Sequence, residues 1–119
     1  MKGYKSENIR NIALVGHGGS GKTTFLEAAL LATGAISRLG KVEDGNTVSD
    51  YDKMEIEKGY SISTSVIPVE YNKVKINFVD TPGFFDFVGE VNSAMRAVEA
   101  AAIVVDASAG IQVGTEKAW

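Results

Sequence analysis

Ile12-Ala13-Leu14-Val15-Gly16-His17-Gly18-Gly19-Ser20-Gly21-Lys22-Thr23-Thr24 is the stretch that decides the reading. Four apolar residues end at a glycine, the pattern of a parallel strand buried on both faces. Gly16 to Thr23 then fits the spacing G-x-x-x-x-G-K-[ST]. Glycines let the backbone turn so that successive N–H groups converge on phosphate oxygens. A helix opening at Gly21-Lys22 adds its positive N-terminal end. The Lys22 ammonium suits β- and γ-phosphates, and the Thr23 hydroxyl suits Mg²⁺. Strand, loop and helix together predict a cradle for a nucleoside triphosphate. Its residues are Gly16, His17, Gly18, Gly19, Ser20, Gly21, Lys22, Thr23 and Thr24.

Outward from the loop, Lys22 to Ala32 reads as a helix, with Phe25, Leu26, Ala29 and Leu30 at helical spacing and Gly34 as its stop. Ala35 to Tyr60 is polar and aperiodic, as functional segments within compact domains often are. Ser65 to Tyr71 and Val74 to Val79 read as two strands of a hairpin turning at Asn72-Lys73. Val88, Val91, Met95 and Val98 share one helical face. Ala101 to Val105 reads as a second doubly buried strand, and a last helix begins near Val113. The order predicts an α/β fold of the P-loop NTPase kind, a mostly parallel sheet with one antiparallel hairpin. In such sheets ligands sit beyond the carboxyl ends of the strands, so the loops leaving those ends should meet.

Asp80-Thr81-Pro82-Gly83 is one of those loops. Asp80 is placed to hold Mg²⁺, through water, and Gly83 to offer its N–H to a γ-phosphate. Ser61, in Glu57-Lys58-Gly59-Tyr60-Ser61-Ile62, has a hydroxyl that could complete the metal shell. The metal-ligand set is therefore Thr23, Ser61 and Asp80. His17 is the only histidine. With no orienting partner visible in the sequence, it reads as lining the loop rather than as a general base.

Composition narrows the rest. A chain of 119 residues is one small domain. With 45% hydrophobic residues it can pack a core. A formal charge of -3 argues against a strongly basic nucleic-acid surface, and no direct DNA binding is expected. Without cysteine there is no disulfide, thiolate metal site or cysteine nucleophile. The polar start, Met1 to Glu7, does not look like a signal peptide, and no apolar run approaches the roughly 20 residues of a membrane helix. A cytoplasmic protein with no membrane partner is the expectation.

At this point the residues resemble the GTP-binding (G) domain of translational GTPases, most closely elongation factor G and elongation-factor-G-like proteins. The resemblance rests on Asn11 to His17, Gly21-Lys22-Thr23-Thr24, Glu57 to Ile62, and Asp80 to Gly83 followed by Asp86-Phe87 and Glu90-Val91. Ala102 to Ala107 with Gly110-Ile111-Gln112 also looks like the family's fourth strand and its loop. It implies a partial G domain with helices on both faces, GTP/GDP and Mg²⁺ as ligands, and a hydrolysis-driven switch coupled to the ribosome in translocation or recycling. The segment around Ser61 then corresponds to switch I, and Asp80 to Phe87 to switch II.

Two departures accompany the resemblance. Phe84 stands where the family usually has the histidine that positions the attacking water, and phenylalanine has no hydrogen-bonding group. Hydrolysis is then slow or uses another group, and the catalytic residue is unknown. Gly19 replaces an acidic residue. Both departures look like those of the elongation-factor-G-like subgroup, and a GTP-binding, ribosome-associated regulator with little hydrolysis is the alternative. The stretch 1–119 corresponds to the N-terminal portion of the G domain, before the Asn-Lys-x-Asp motif that reads guanine. Guanine specificity is thus implied by resemblance alone. A hydrophobic edge at Ala101 to Val105 invites pairing, so a non-native dimer of this fragment is expected.

Overall fold

The computed structural model describes residues 3–41, 44, 46–48, 63–83 and 88–119. Ile9–Val15 forms strand β1, followed by helix α1 at Lys22–Ala32. Strands β2 (Ser65–Tyr71) and β3 (Val74–Asp80) form the hairpin. Helix α2 (Val88–Met95), strand β4 (Ala100–Ile103) and helix α3 (Val113–Ala118) complete the order. The sheet runs β2-β3-β1-β4, with β1 parallel to both neighbours and β2 antiparallel to β3.

Alternation along β1 divides the core in two. Leu14 joins Leu26 and Leu30 of α1 with Ile67, Val69 and Phe78 on one face of the sheet. Ala13 and Val15 join Val79 and Ala94 on the other, against α2 and α3. Because Ala13, Leu14 and Val15 are at most 1% exposed, helices must cover both faces, as expected. β1 begins at Ile9 rather than Ile12 because polar side chains extend it. Asn77 Nδ2 donates to Asn11 Oδ1 at 2.8 Å, and Glu99 accepts both the Asn11 N–H and its Nδ2. A purely apolar period cannot reveal such an extension.

Helix α1 keeps its expected bounds. Its last carbonyls are closed by Ala35 N–H donating to Leu30 O and Gly34 N–H to Leu31 O, the paired bonds of a Schellman stop. Phe25 is half exposed but meets Phe78 edge-on at 6.2 Å. In β2, Ser65, Ile67 and Val69 point inward while Val66, Pro68 and Glu70 face out. Proline is tolerated there because β2 is an edge strand.

Two expectations are corrected. Met95 is 39% exposed, and the buried member of the α2 face is Ala94, with Val91 and Val98 packed beside it. The helix presents its i+3 neighbour of Val91 to the sheet rather than i+4. β4 is not doubly buried either: it is the outer strand, and Ala100 and Ala101 are exposed. Beside it lies an open apolar groove of about 560 Å³ bordered by Ile103, Val105, Ile111 and Trp119.

The hairpin turns through Asn72 (φ 47°) and Lys73 (φ 65°), both left-handed, which gives a type I′ turn matched to strand twist. Lysine at such a position carries a steric cost that glycine does not. Lys73→Gly is therefore expected to stabilise the fold by about 0.5 kcal/mol after the extra unfolded-state freedom of glycine is counted. A urea midpoint that falls in this variant would contradict the turn assignment.

Candidate phosphate-binding site

The site begins where β1 ends. Val15 O accepts from Val104 N at 2.9 Å, so the chain leaving β4 runs alongside the start of the loop. Ser20 N–H donates to His17 O at 3.1 Å and closes the loop on itself. Gly19 (φ 79°) and Gly21 (φ 97°) take left-handed conformations, which turn the chain into α1. Thr24, two residues into that helix past Lys22, is exposed.

Lys22 is only 7% exposed. Its ammonium donates to Gly16 O at 3.1 Å and His17 O at 3.0 Å, so the side chain folds back over the loop. Burial pushes its pKa below the ordinary 10.5, and the Asp80 carboxylate draws it partly back up. Asp80 ends β3 and is 1% exposed. Its Oδ2 accepts from Thr23 Oγ1 at 3.2 Å. Thr81 ties the two strand ends together, its Oγ1 donating to Leu14 O at 2.7 Å.

Gly83 then turns back against the loop. A Cβ there would stand 2.5 Å from Lys22 Nζ and 2.7 Å from the Gly18 N and Cα. No side chain fits this approach, which explains the glycine of Asp80-Thr81-Pro82-Gly83 more directly than its turn does. The loops after β1 and β3 therefore meet, as the sheet geometry requires. The chain after β4 joins them through His17, whose Nδ1 accepts from Gly114 N–H at 3.2 Å in the first turn of α3. That bond leaves the proton of a neutral imidazole on Nε2. His17 lines the loop, as expected, but it also has a partner that the sequence did not reveal.

The donor set fits a phosphate-bound divalent cation. Thr23 and Asp80 supply hard oxygen atoms side by side. Among the described residues no three His, Cys, Asp or Glu side chains gather as a metal cage. Mg²⁺ carried by substrate phosphates needs only one or two protein oxygens. Ser20 Oγ is buried with no hydrogen-bond partner among the described residues, a polar atom facing the loop interior. Ser61 and Phe84 lie outside the described residues. Sequence reasoning passed over Glu27, a buried carboxylate between the core residues Leu26 and Leu30. A charge on the apolar stripe of a helix was the available signal.

Residues 7–119 match the family described as the elongation factor Tu GTP-binding domain. An elongation factor G-like protein of Mycobacterium tuberculosis is 43% identical over 111 residues, covering 93% of this chain and 16% of that protein. Mitochondrial ribosome-releasing factor 2 of Debaryomyces hansenii is 41% identical over 113 residues, covering 95% of this chain and 13% of that protein. A crystal structure of a Thermus thermophilus protein superposes with a TM-score of 0.90 at 48% identity, over 93% of this chain and 17% of that one. The chain thus spans between about one eighth and one sixth of the length of these relatives. Among the described residues no helix is long and apolar enough to cross a membrane.

The buried Lys22 charge has a stability consequence. An unfolded lysine keeps its proton up to about 10.5, whereas the folded one releases it earlier. Between those two values the unfolded state binds more protons, so stability contributed by this group rises with pH. Below the window the desolvation penalty is fully present. Lys22→Met is therefore expected to be at least as stable as the parent at pH 7, with the difference shrinking toward pH 10.5. Urea unfolding across that range checks it. A clear loss of stability at pH 7 would mean that the two carbonyl contacts outweigh the burial of charge.

Proposed function

The chain belongs to the elongation factor Tu GTP-binding domain family, and on that premise we propose that it is the GTP-binding module of an elongation-factor-G-like translation factor. In this reading it binds GTP with Mg²⁺ and hydrolyses it on the ribosome, in translocation or recycling. The observation that carries the reading is the close seat of Gly83 on Gly18 and Lys22. It puts the loop after β3 in contact with the two groups that would face the terminal phosphate, so that loop can register whether the phosphate is there.

Each residue then has a task. Backbone N–H groups of Gly18, Gly19, Gly21 and Lys22 hold phosphate oxygens. The Lys22 ammonium exchanges its two carbonyl partners for β- and γ-phosphate oxygens and offsets the negative charge gathering there. Thr23, Asp80 and Ser61 would hold Mg²⁺, which neutralises phosphate charge when bound. Gly83 N–H meets the γ-phosphate. Water attacks the γ-phosphorus, the bond to the β,γ-bridging oxygen breaks, and GDP and phosphate leave. Loss of that phosphate frees the segments around Ser61 and from Asp80 to Phe87, which is the switch the ribosome would read.

A specific residue favours a second reading. Phe84 cannot orient the attacking water, so a GTP-binding, ribosome-associated regulator with little hydrolysis stands beside the first. The compartment is that of the ribosome served: cytoplasmic in the first instance, although a mitochondrial protein stands among the relatives.

Lys22→Ala is expected to weaken Mg²⁺-dependent GTP binding by about a hundredfold, the scale of a buried charge-assisted contact. Fluorescent-nucleotide titration of the native polypeptide measures it, and equal affinity for ATP and GTP would refute the guanine assignment. Single-turnover hydrolysis with ribosomes separates the two readings. Fast turnover in the parent eliminates the regulator. A slow parent whose Phe84→His variant gains about tenfold or more supports it.

A further inference from the structure

The end of the sheet opposite the phosphate loop carries a separate cleft. β1 and β3 run parallel with Ile9 beside Lys75, so the Asn72-Lys73 turn lies about 20 Å, one strand length, from Gly16 to Thr23. A cavity of about 380 Å³ opens there between the turn and the segment before β1. Its walls are Gly3, Tyr4, Glu70, Tyr71, Asn72 and Lys73. That volume falls in the range of roughly 300–1,000 Å³ that small-ligand clefts span. The wall at Tyr4 is folded chain: a single 3-10 turn, Ser6–Asn8, follows it, and Asn8 N–H donates to Lys5 O at 2.9 Å. The Tyr4 hydroxyl donates to the Glu70 carboxylate, and this bond holds the phenol pKa above its ordinary value. Tyr71 is 55% exposed, so much of its ring is open to a ligand. Lys73 keeps a left-handed backbone (φ 65°), where glycine would escape the steric cost. A strained residue kept against a better local choice points to a task.

We propose that this cleft binds single-stranded RNA: an unstacked base lies against the rings of Tyr71 and Tyr4, and Lys73 meets the adjoining phosphate. The chemistry of the walls selects this ligand. Two phenol rings offer stacking faces to any base, and an ammonium beside them tracks the backbone. A carboxylate accepts about four hydrogen bonds, so Glu70, held by Tyr4, can still accept from a ribose 2′-hydroxyl or a base amine. No aliphatic side chain lines the cleft, so an apolar peptide or an acyl chain would bury little there. Local charge agrees. Residues 3–10 and 70–75 hold Lys5, Arg10, Lys73 and Lys75 against Glu7 and Glu70, in a chain whose formal charge is -3. So small a surface makes few phosphate contacts, and its binding is weak and salt-sensitive. This site is independent of the GTP reading, because the two lie at opposite ends of the sheet.

The test is fluorescence anisotropy of a labelled adenosine RNA of about eight nucleotides, within the site sizes of single-strand binders. It is titrated with the native polypeptide at low salt, with and without excess Mg²⁺-GTP. Saturable binding that GTP does not displace is expected, with the matching DNA strand bound more weakly. Tyr71→Ala is expected to weaken it about tenfold, the scale of one lost base stack. Lys73→Gly is expected to weaken it about threefold and to flatten the slope of log K against log salt by about 0.7, one phosphate contact. Its urea midpoint should not fall, so this variant answers the question if Tyr71→Ala does not fold. Absence of saturable binding overturns the site, as does affinity unchanged by both substitutions. Displacement by GTP puts the RNA on the phosphate loop and overturns it too. Equal competition by polyglutamate marks a bare cation patch, and equal affinity for the DNA strand removes the RNA assignment. A parent that fails to bind GTP leaves the RNA titration standing and overturns only the GTP reading.

Discussion

A lysine ammonium held almost out of water is the constraint on which the rest of this structure turns. Lys22 remains where it is because Gly16 O and His17 O face it and Asp80 lies close by. Carbonyls converge in this way only if the chain after β1 doubles back. It doubles back only if glycines take left-handed conformations and a helix begins at once. Burying a charge costs fold stability unless its contacts offset it. The nearby Asp80 moderates the cost and brings the Thr23 hydroxyl into register with a carboxylate.

The sheet makes this arrangement rigid. β1 is central, and its last residues are buried from both sides, so the loop that follows cannot shift without disturbing two apolar clusters. β3 is parallel to β1 in a register that sets Asp80 beside Leu14, and the Thr81 hydroxyl fixes the two ends. That register is why an aspartate far along the chain lands next to Thr23. β4 brings the third loop, and the imidazole of His17 rests on the first turn of α3. The phosphate loop is therefore in direct contact with both the β3 loop and α3.

Glu27 adds a fourth connection to the same helix. It shows how a polar residue on an apolar stripe can organise a segment that has no period of its own. The polar stretch after α1 shows no period because helices and strands announce themselves by repetition, whereas Gly40 and Val48, among its described residues, are held by their backbone N–H groups on one carboxylate. The same limit explains the missed start of β1, where Asn11 is fixed by Asn77 and Glu99 rather than by burial. It also explains Met95: one helical step separates it from Ala94, and only packing decides which of the two faces the sheet.

The amino-acid sequence by itself determined the glycine-rich loop between β1 and α1, the hairpin and the order of elements. Those features are local: a glycine spacing, a period of two or of 3.6, an Asn-Lys turn. Tertiary structure alone decided how close the loops come. That Gly83 tolerates no Cβ beside Lys22 and that His17 meets Gly114 both depend on backbones distant in sequence being brought together. Close approach is a property of packing in three dimensions, and no one-dimensional pattern carries it.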